Sequence, residues 1–244
     1  MLAGLYTAAA GMEAQQARLD AVANDLANVS TPGYKSIRVG FRDLLYQPNG
    51  RGAGPGTQTG AGAAATTIGR DHAQGALIAT EGPLDLALTG PGFIQVRAAD
   101  GGLALTRDGN LGLTPDGRLR TSTGQLLEPP VRLPAGTDQT AVKIEPDGEV
   151  RIGRRRVGRI EIVNVTNPDG LRPDGNNLLR PTAASGPVAA ARGARLEQGA
   201  LEASNVDMAD ATVAMMDAQR GFELASKAIQ MQDEVLAVAN GVKR

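Results

Sequence analysis

Apolar residues recur every seven positions at both ends of the chain, while in between they come in short runs broken by turn dipeptides. Leu5, Met12, Leu19 and Leu26 are seven apart, and Ala8, Gln15, Val22 and Val29 follow each by three. The pattern returns as Met208, Met215, Phe222, Ile229 and Leu236, trailed by Ala211, Ala218, Ala225 and Ala239, with Gln232 as the interruption. These are the a and d positions of a heptad, whose period keeps one narrow seam turned toward a partner helix. The spacing predicts a first helix over about 2–28, roughly 40 Å long at about 1.5 Å per residue. Thr31-Pro32-Gly33 ends it, because Pro32 fixes φ near −65° and Gly33 accepts positive φ, as the centre of a type II turn requires. At the other end Ser204-Asn205-Val206-Asp207 reads as a capping box, and Gly241 with Lys243 and Arg244 as a stop. Gly221, inside the last helix, is a position that propensity rejects and that a close helix approach would explain.

Tyr34 to Tyr46 alternates loosely and predicts an extended arm with a short helical piece at 41–45. From Asn49 to about Ala65 the chain is Gly, Ala, Thr and Pro, with little to bury. That composition reads either as a flexible linker or as a segment that orders only when another subunit covers it. From about Thr66 to Pro187 the signals are antiparallel β. Turns are expected at Asp100-Gly101, Asp108-Gly109, Asp116-Gly117, Asp147-Gly148, Asp169-Gly170 and Asp174-Gly175. Strands are expected over 84–88, 93–97, 103–106, 119–121, 142–144, 149–152 and 157–165. The fold class is therefore α+β: long N- and C-terminal helices pairing as a coiled-coil-like layer, with a central, mainly antiparallel β domain. The chain divides into a helical assembly domain (1–33 and 200–244), an extended arm and Gly-rich segment (34–71) and a β domain (72–199).

Only 2% of the 244 residues are aromatic and none is Trp, so a core here rests on Val, Leu, Ile and Ala. A net charge of −1 gives no global reason to bind nucleic acid or an anionic membrane. The absence of Cys removes disulfides, thiolate metal sites and cysteine nucleophiles together. No stretch approaches the roughly 18 apolar residues that cross a bilayer, and the opening residues lack the basic and apolar regions of a cleavable signal.

Candidate chemistry is sparse. The single histidine, His72, stands beside Asp71, which admits a hydrolase reading, although a loop position explains the pair more simply. Asp108, Asn110 and Asp116 miss the spacing of a calcium loop. Arg154, Arg155 and Arg156 lie between two glycines. Nucleic acid would need interleaved aromatic residues that are missing, so a hairpin tip facing solvent or a neighbour's carboxylates fits better. No catalytic residue, metal or cofactor is expected. The terminal seams remain: two helices could satisfy each other within one chain, but a lone pair leaves much apolar surface wet, which predicts association.

Ala27-Asn28-Val29-Ser30-Thr31-Pro32-Gly33-Tyr34-Lys35 resembles the LANVNTPGYK signature of bacterial flagellar rod and hook proteins. Leu84 to Phe93 resembles the LDLAIxGxGFF segment of that family, Thr106 to Asn110 its TRDG segment, and Leu196 to Val206 its QGxLExSNV segment. The four motifs are collinear over the chain. Asp25 and Ser30 stand where the family usually has Asn, Ile94 replaces a second Phe, and Gly221 stands where Ala or Ser is common. The resemblance implies a structural subunit that self-associates into a helical tube, a hollow shaft transmitting torque from motor to hook. It further implies other rod proteins, the hook protein and the surrounding L and P ring proteins as partners. It also implies a basal-body rod location across the periplasm and type III export without a cleaved signal peptide. Within the family the Gly-rich stretch and Gln74-Gly75-Ala76-Leu77 look most like distal rod subunits, with proximal rod subunits as the alternative. The residues expected at the assembly interface are Leu5, Met12, Leu19, Val22, Leu26, Val29, Met208, Met215, Phe222, Ile229 and Leu236. Asn28, Pro32, Gly33 and Tyr34 carry the family motif.

Overall fold

The computed structural model describes residues 2–44, 47–48, 58–60, 62–134 and 136–241. The chain separates into two compact units, one built from 1–27, 37–69 and 207–244 and the other from 28–36 and 70–206.

The first unit holds helix α1 (Leu2–Ala27), strands β1 (Ile37–Asp43) and β2 (Ala63–Arg70), which pair with each other, and helix α2 (Met208–Gly241). The two helices pack antiparallel. A Cβ built at Gly4 would come within 2.7 Å of the Gln232 side chain, and one at Gly221 within 2.9 Å of Gln15. Gly221 is therefore the close-approach point that its place inside a helix implied. Ala14 and Ala218 are the most buried apolar residues of the pair, so small side chains form the centre of this contact. Asp25 is buried, and its carboxylate accepts the Ile37 N–H, fixing β1 against the end of α1. The short helical piece expected at 41–45 does not form over its described part: Phe41 to Asp43 extend as β1, because pairing with β2 supplies the backbone partners. Most of the Gly-rich stretch, and the charged stop at Lys243 and Arg244, lie outside the described residues.

Asp207 rather than Ser204 caps α2. Its carboxylate accepts the N–H groups of Ala209 and Asp210 at 2.8 and 3.0 Å, while the Ser204 hydroxyl accepts only the Val206 N–H in a local turn. The capping box thus starts three residues late: the carboxylate supplies the cap itself, where the helix end is partially positive.

The second unit is antiparallel throughout. Its strands are β3 (Leu77–Ala79), β4 (Leu86–Thr89), β5 (Phe93–Arg97), β6 (Leu103–Thr106), β7 (Leu111–Leu113), β8 (Leu119–Thr121) and β9 (Leu126–Leu127). They continue with β10 (Val142–Ile144), β11 (Glu149–Ile152), β12 (Arg155–Arg159), β13 (Ile162–Val165), β14 (Arg172–Pro173), β15 (Leu179–Arg180), β16 (Val188–Ala190), β17 (Arg195–Gln198) and β18 (Ala200–Glu202). The largest sheet runs β14-β15-β6-β5-β9-β8-β7, with β13 joining β5 and β16 joining β13. A second sheet is β10-β11-β12, and the pairs β17-β4 and β18-β3 complete the unit. The strand expected over 157–165 is broken: β12 ends at Arg159 and β13 begins at Ile162, because Ile160 turns into the core and donates its N–H to the Gly148 carbonyl.

Alternation decides which core each side chain enters. Ile94 and Val96 of β5 join Leu86, Leu88, Leu119, Leu127, Val150 and Ile160 in the larger cluster, while Phe93 turns the other way to Leu105, Val163 and Leu179. Gln198 fastens this body internally. Its amide donates to the Pro83 and Val142 carbonyls at 2.6 and 2.8 Å and accepts the Ile144 N–H at 2.9 Å.

Candidate functional site

The residues directly after α1 and directly before α2 both belong to the β unit, and they meet there. The Thr31–Tyr34 turn closes with the Tyr34 N–H on the Thr31 carbonyl, and Gly33 has φ +66°. A Cβ at Gly33 would stand 2.5 Å from the Arg107 carbonyl oxygen, so both the turn and the close approach require glycine. The Gly33 N–H donates to the Glu202 carbonyl at 2.7 Å. Asn177 donates its side-chain amide to the Pro32 carbonyl at 2.9 Å. The Thr31 hydroxyl donates to the Asn28 side chain, and Tyr34 is buried with the Arg70 guanidinium 5.2 Å from its ring centre.

Under this turn lies an ionic node. Lys35 Nζ donates to Glu202 Oε1 and to the Ala73 carbonyl, each at 2.6 Å. Arg107 Nε lies 3.0 Å from Glu202 Oε2, and its Nη2 donates to the Gly90 carbonyl at 2.6 Å. The Gly75 N–H also reaches Glu202 Oε1. The three side chains are at most 4% exposed. Burial pushes the Lys35 ammonium below its ordinary value, while the hydrogen bond and charge of Glu202 act in the opposite direction. Burial also lowers Arg107, again opposed by Glu202. One carboxylate thus serves two buried cations, and removing it would leave both uncompensated.

Asn205 completes the junction. Its amide donates to the Asp71 carbonyl, its Oδ1 accepts the Ser36 N–H at 2.8 Å, and its own N–H reaches the Tyr34 carbonyl. Arg70 donates to the Lys35 carbonyl. Four stretches far apart in sequence, around residues 31–36, 70–75, 107 and 202–205, are locked at one point.

Lys35, Arg107, Glu202 and Asn205 are the residues that sequence reasoning did not single out, although each lies inside a motif it quoted. The available signal was a charged residue at a fixed place in otherwise apolar or turn-forming motifs. The resemblance-derived motif residues Asn28, Pro32, Gly33 and Tyr34 lie together in the turn above this node. Val29 borders a cavity of about 300 Å³ with Ile78 and Leu201. Leu5, Met12, Leu19, Val22 and Leu26 on α1 are partly buried, as are Met215, Ile229 and Leu236 on α2, while Phe222 and Met208 are 38% and 60% exposed.

The remaining candidates stay apart from this junction or are explained by local structure. The Asp71 carboxylate accepts the Ala73 N–H in a tight local turn. His72 stands edge-on to Phe93, with ring centres 5.8 Å apart, and burial lowers its pKa. Asp108 accepts the Asn110 N–H and the Ser122 hydroxyl, while Asp116 pairs with Arg118. Among the described residues no group of three or more His, Asp or Glu is placed to hold a metal ion, and no helix is long and apolar enough to cross a membrane. Arg154, Arg155 and Arg156 are exposed at the β11-β12 hairpin tip, where Gly153 takes φ +56°. Glu149 lies beside Arg151 and within 3.7 Å of Arg156.

Three family models match the chain. Residues 5–35 match the flagella basal body rod protein family, 87–152 the flagellar hook protein FlgE/F/G D1 domain, and 197–242 the C-terminal region of the flagellar basal body rod FlgEFG proteins. Over the full length of both chains it is 39% identical to the flagellar basal-body rod protein FlgG of Borreliella burgdorferi and 37% identical to FlgG of Bacillus subtilis. It is 32% identical to the flagellar basal-body rod protein FlgF of Caulobacter vibrioides, over 91% of this chain and 90% of that one.

Proposed function

The chain belongs to the flagellar basal-body rod family, whose members are structural rather than catalytic, and we propose that it is a distal rod subunit that polymerises into a hollow helical shaft transmitting torque from motor to hook. Higher identity to FlgG than to FlgF favours the distal over the proximal rod. One observation carries the polymer reading: α2 leaves Met208, Phe222, Leu224, Met231, Val235 and Val238 at 38–68% exposure, an apolar surface that water disfavours and sister molecules could cover. Heterologous contacts that do not close into a ring extend such covering into a filament.

In this reading helices α1 and α2, within the assembly domain of 1–33 and 200–244, form a coiled-coil-like inner layer, the segment 34–71 braces neighbours, and the β domain of 72–199 forms the outer layer. The heptad residues Leu5, Met12, Leu19, Val22, Leu26, Val29, Met208, Met215, Phe222, Ile229 and Leu236 belong to the assembly layer. The buried node at Lys35, Arg107 and Glu202 is the relay by which load passes from both helices into the β body. The partners are copies of itself, other rod proteins, the hook protein and the L and P ring proteins around the shaft. The route out of the cell is the flagellar type III apparatus, without a cleaved signal.

Electron microscopy of the purified full chain at rising concentration tests this. Straight tubes are expected from the unaltered chain, and none from Leu26→Asp or Phe222→Asp, with the β unit still melting as before. Tubes of normal length from either variant would overturn the assembly reading, and curved tubes would favour a hook protein.

A further inference from the structure

The sheet β10-β11-β12 turns one face to the core and the other to water. Val142, Ile144 and Val150 point inward, so Lys143 and Arg151, directly opposite each other on β10 and β11, point outward. On β12 the alternation breaks. Gly158 stands opposite Val150 but Arg156 stands opposite Arg151, so Val157 is the extra residue of a β-bulge, and it packs against the larger core cluster. Without the bulge Val157 would face Arg151, and Arg156 would turn to the core side opposite Ile152. The bulge instead completes an outward row of three cations, Lys143, Arg151 and Arg156, about 4.8 Å apart from strand to strand. Like charges set directly opposite each other weaken a sheet, so folding alone gives no reason for this row.

Glu149 holds the row in place. It accepts the Arg151 Nε–H and lies 3.7 Å from the Arg156 Nε, and among the described residues the Nη groups of both arginines make no hydrogen bond. The three cationic side chains are 46–74% exposed. The next row has a different pattern: Glu145, 3.9 Å from Lys143, then Glu149, then Arg159. Residues 142–159 hold six basic and three acidic side chains, a net +3 in a chain whose total is −1.

We propose that this face docks an acidic helix of a protein other than this chain, lying across the strands with Asp or Glu at i, at i+3 or i+4, and at i+7. The inference goes beyond the rod reading and does not rest on it. Two strand spacings cover about 10 Å, and seven helical residues cover about the same at about 1.5 Å each, so three carboxylates on one helix face meet the three cations in register. The carboxylates of the second row oppose a uniformly anionic surface such as a lipid membrane, and residues 142–159 contain no aromatic side chain on which a base could stack. Neither α1 nor α2 carries three carboxylates at the required spacing, which argues against a second copy as the occupant.

The test is fluorescence anisotropy on the dilute full chain with two labelled alanine-based helical peptides of identical composition. One has glutamates at i, i+4 and i+7; the other has them distributed around the helix. The first is expected to bind at least about tenfold more tightly, with the advantage lost at high salt. Arg151→Gln/Arg156→Gln should cost about tenfold in affinity with the melting of the β unit unchanged, whereas Arg120→Gln/Arg172→Gln, the same charge change at exposed positions on other strands, should leave binding as it was. Glu149→Gln separates positioning from net charge: it makes the face more positive, yet should weaken binding because the two guanidinium groups lose their anchor. Equal binding of both peptides or none, unchanged affinity in Arg151→Gln/Arg156→Gln, tighter binding in Glu149→Gln, or stronger binding to phosphatidylglycerol vesicles than to the first peptide would each overturn the proposal. Self-association of the chain that disappears in Arg151→Gln/Arg156→Gln would assign the face to a second copy and overturn it as well.

Discussion

In the β unit Leu86, Leu88, Ile94 and Leu105 are at most 1% exposed, whereas Leu224, Met231 and Val238 of α2 are at least 60% exposed. The two regions draw on the same residue types but use them differently. Strands alternate their side chains across two faces, and successive hairpins fold those faces onto one another until both clusters are dry. Two helices with only a two-stranded sheet beside them dry a stripe each and leave much of the rest wet. The β unit also buries three charges at one point, which is tolerable only where surrounding groups are fixed in place. The helical unit buries Asp25 against a backbone N–H, and its two helices come closest at Ala, Gly and Gln. One region is dry as a monomer; the other keeps an apolar face in water, the face that neighbours would cover in the proposed rod.

The contrast breaks most readily at Glu202. Replacing it with Gln should destabilise the β unit by about 3–5 kcal/mol, because Lys35 and Arg107 are left buried without their carboxylate. Urea unfolding followed by a β-specific signal measures this, and a loss below about 1 kcal/mol would deny the node its role. Replacing all three together (Lys35→Met, Arg107→Met and Glu202→Leu) should cost clearly less than Glu202→Gln alone, since no charge is then stranded. In the helical unit, Ala218→Leu should cost about 1–3 kcal/mol by forcing α1 and α2 apart at a fully buried alanine. Far-UV circular dichroism should report a lower helical melting point while the β transition stays where it was. A shift of both transitions together would show the two regions to be one cooperative unit.

Asp207→Ala should cost about 0.5–2 kcal/mol by removing the cap of α2, read as earlier loss of helical signal. The smallest effect is electrostatic. Burial lowers the pKa of His72, with Asp169 acting to raise it and Lys35 and Arg107 to lower it further. Between its folded value and the ordinary value of about 6.5 the unfolded chain binds more protons. The unfolding free energy of the β unit should therefore rise with pH through that window and level off above it. The same titration on His72→Gln should lack that contribution, and an identical slope in both proteins would remove His72 from the account.

Much of the fold was legible along the chain. The strands over 93–97, 103–106, 119–121, 142–144 and 149–152 coincide with β5, β6, β8, β10 and β11, because short apolar runs between Asp-Gly turns leave few other ways to bury them. The turn at Gly33 and the close approach at Gly221 were legible because glycine there has one economical physical reason. Local signals failed where long-range pairing decided the matter. Phe41 to Asp43 became a strand because β2 stands beside them, and the strand over 157–165 broke because Ile160 is drawn into the core. Asp108-Gly109 gave no positive φ; Gly109 is required because a Cβ there would collide with the Leu86 carbonyl.

The sequence alone determined that two heptad-bearing helices flank an antiparallel body, since period and turn chemistry are local properties that each segment carries with it. It also carried the motifs that resemble the flagellar rod and hook proteins. Only the tertiary structure decided that Lys35, Arg107 and Glu202 form one buried node, and which stripe of α2 meets α1. Charges 72 and 167 positions from Lys35 in sequence have no local reason to meet. Which face of a helix is dry depends on the packing around it, and the apolar period alone did not show that Met208 and Phe222 stay exposed while Ala218 is buried.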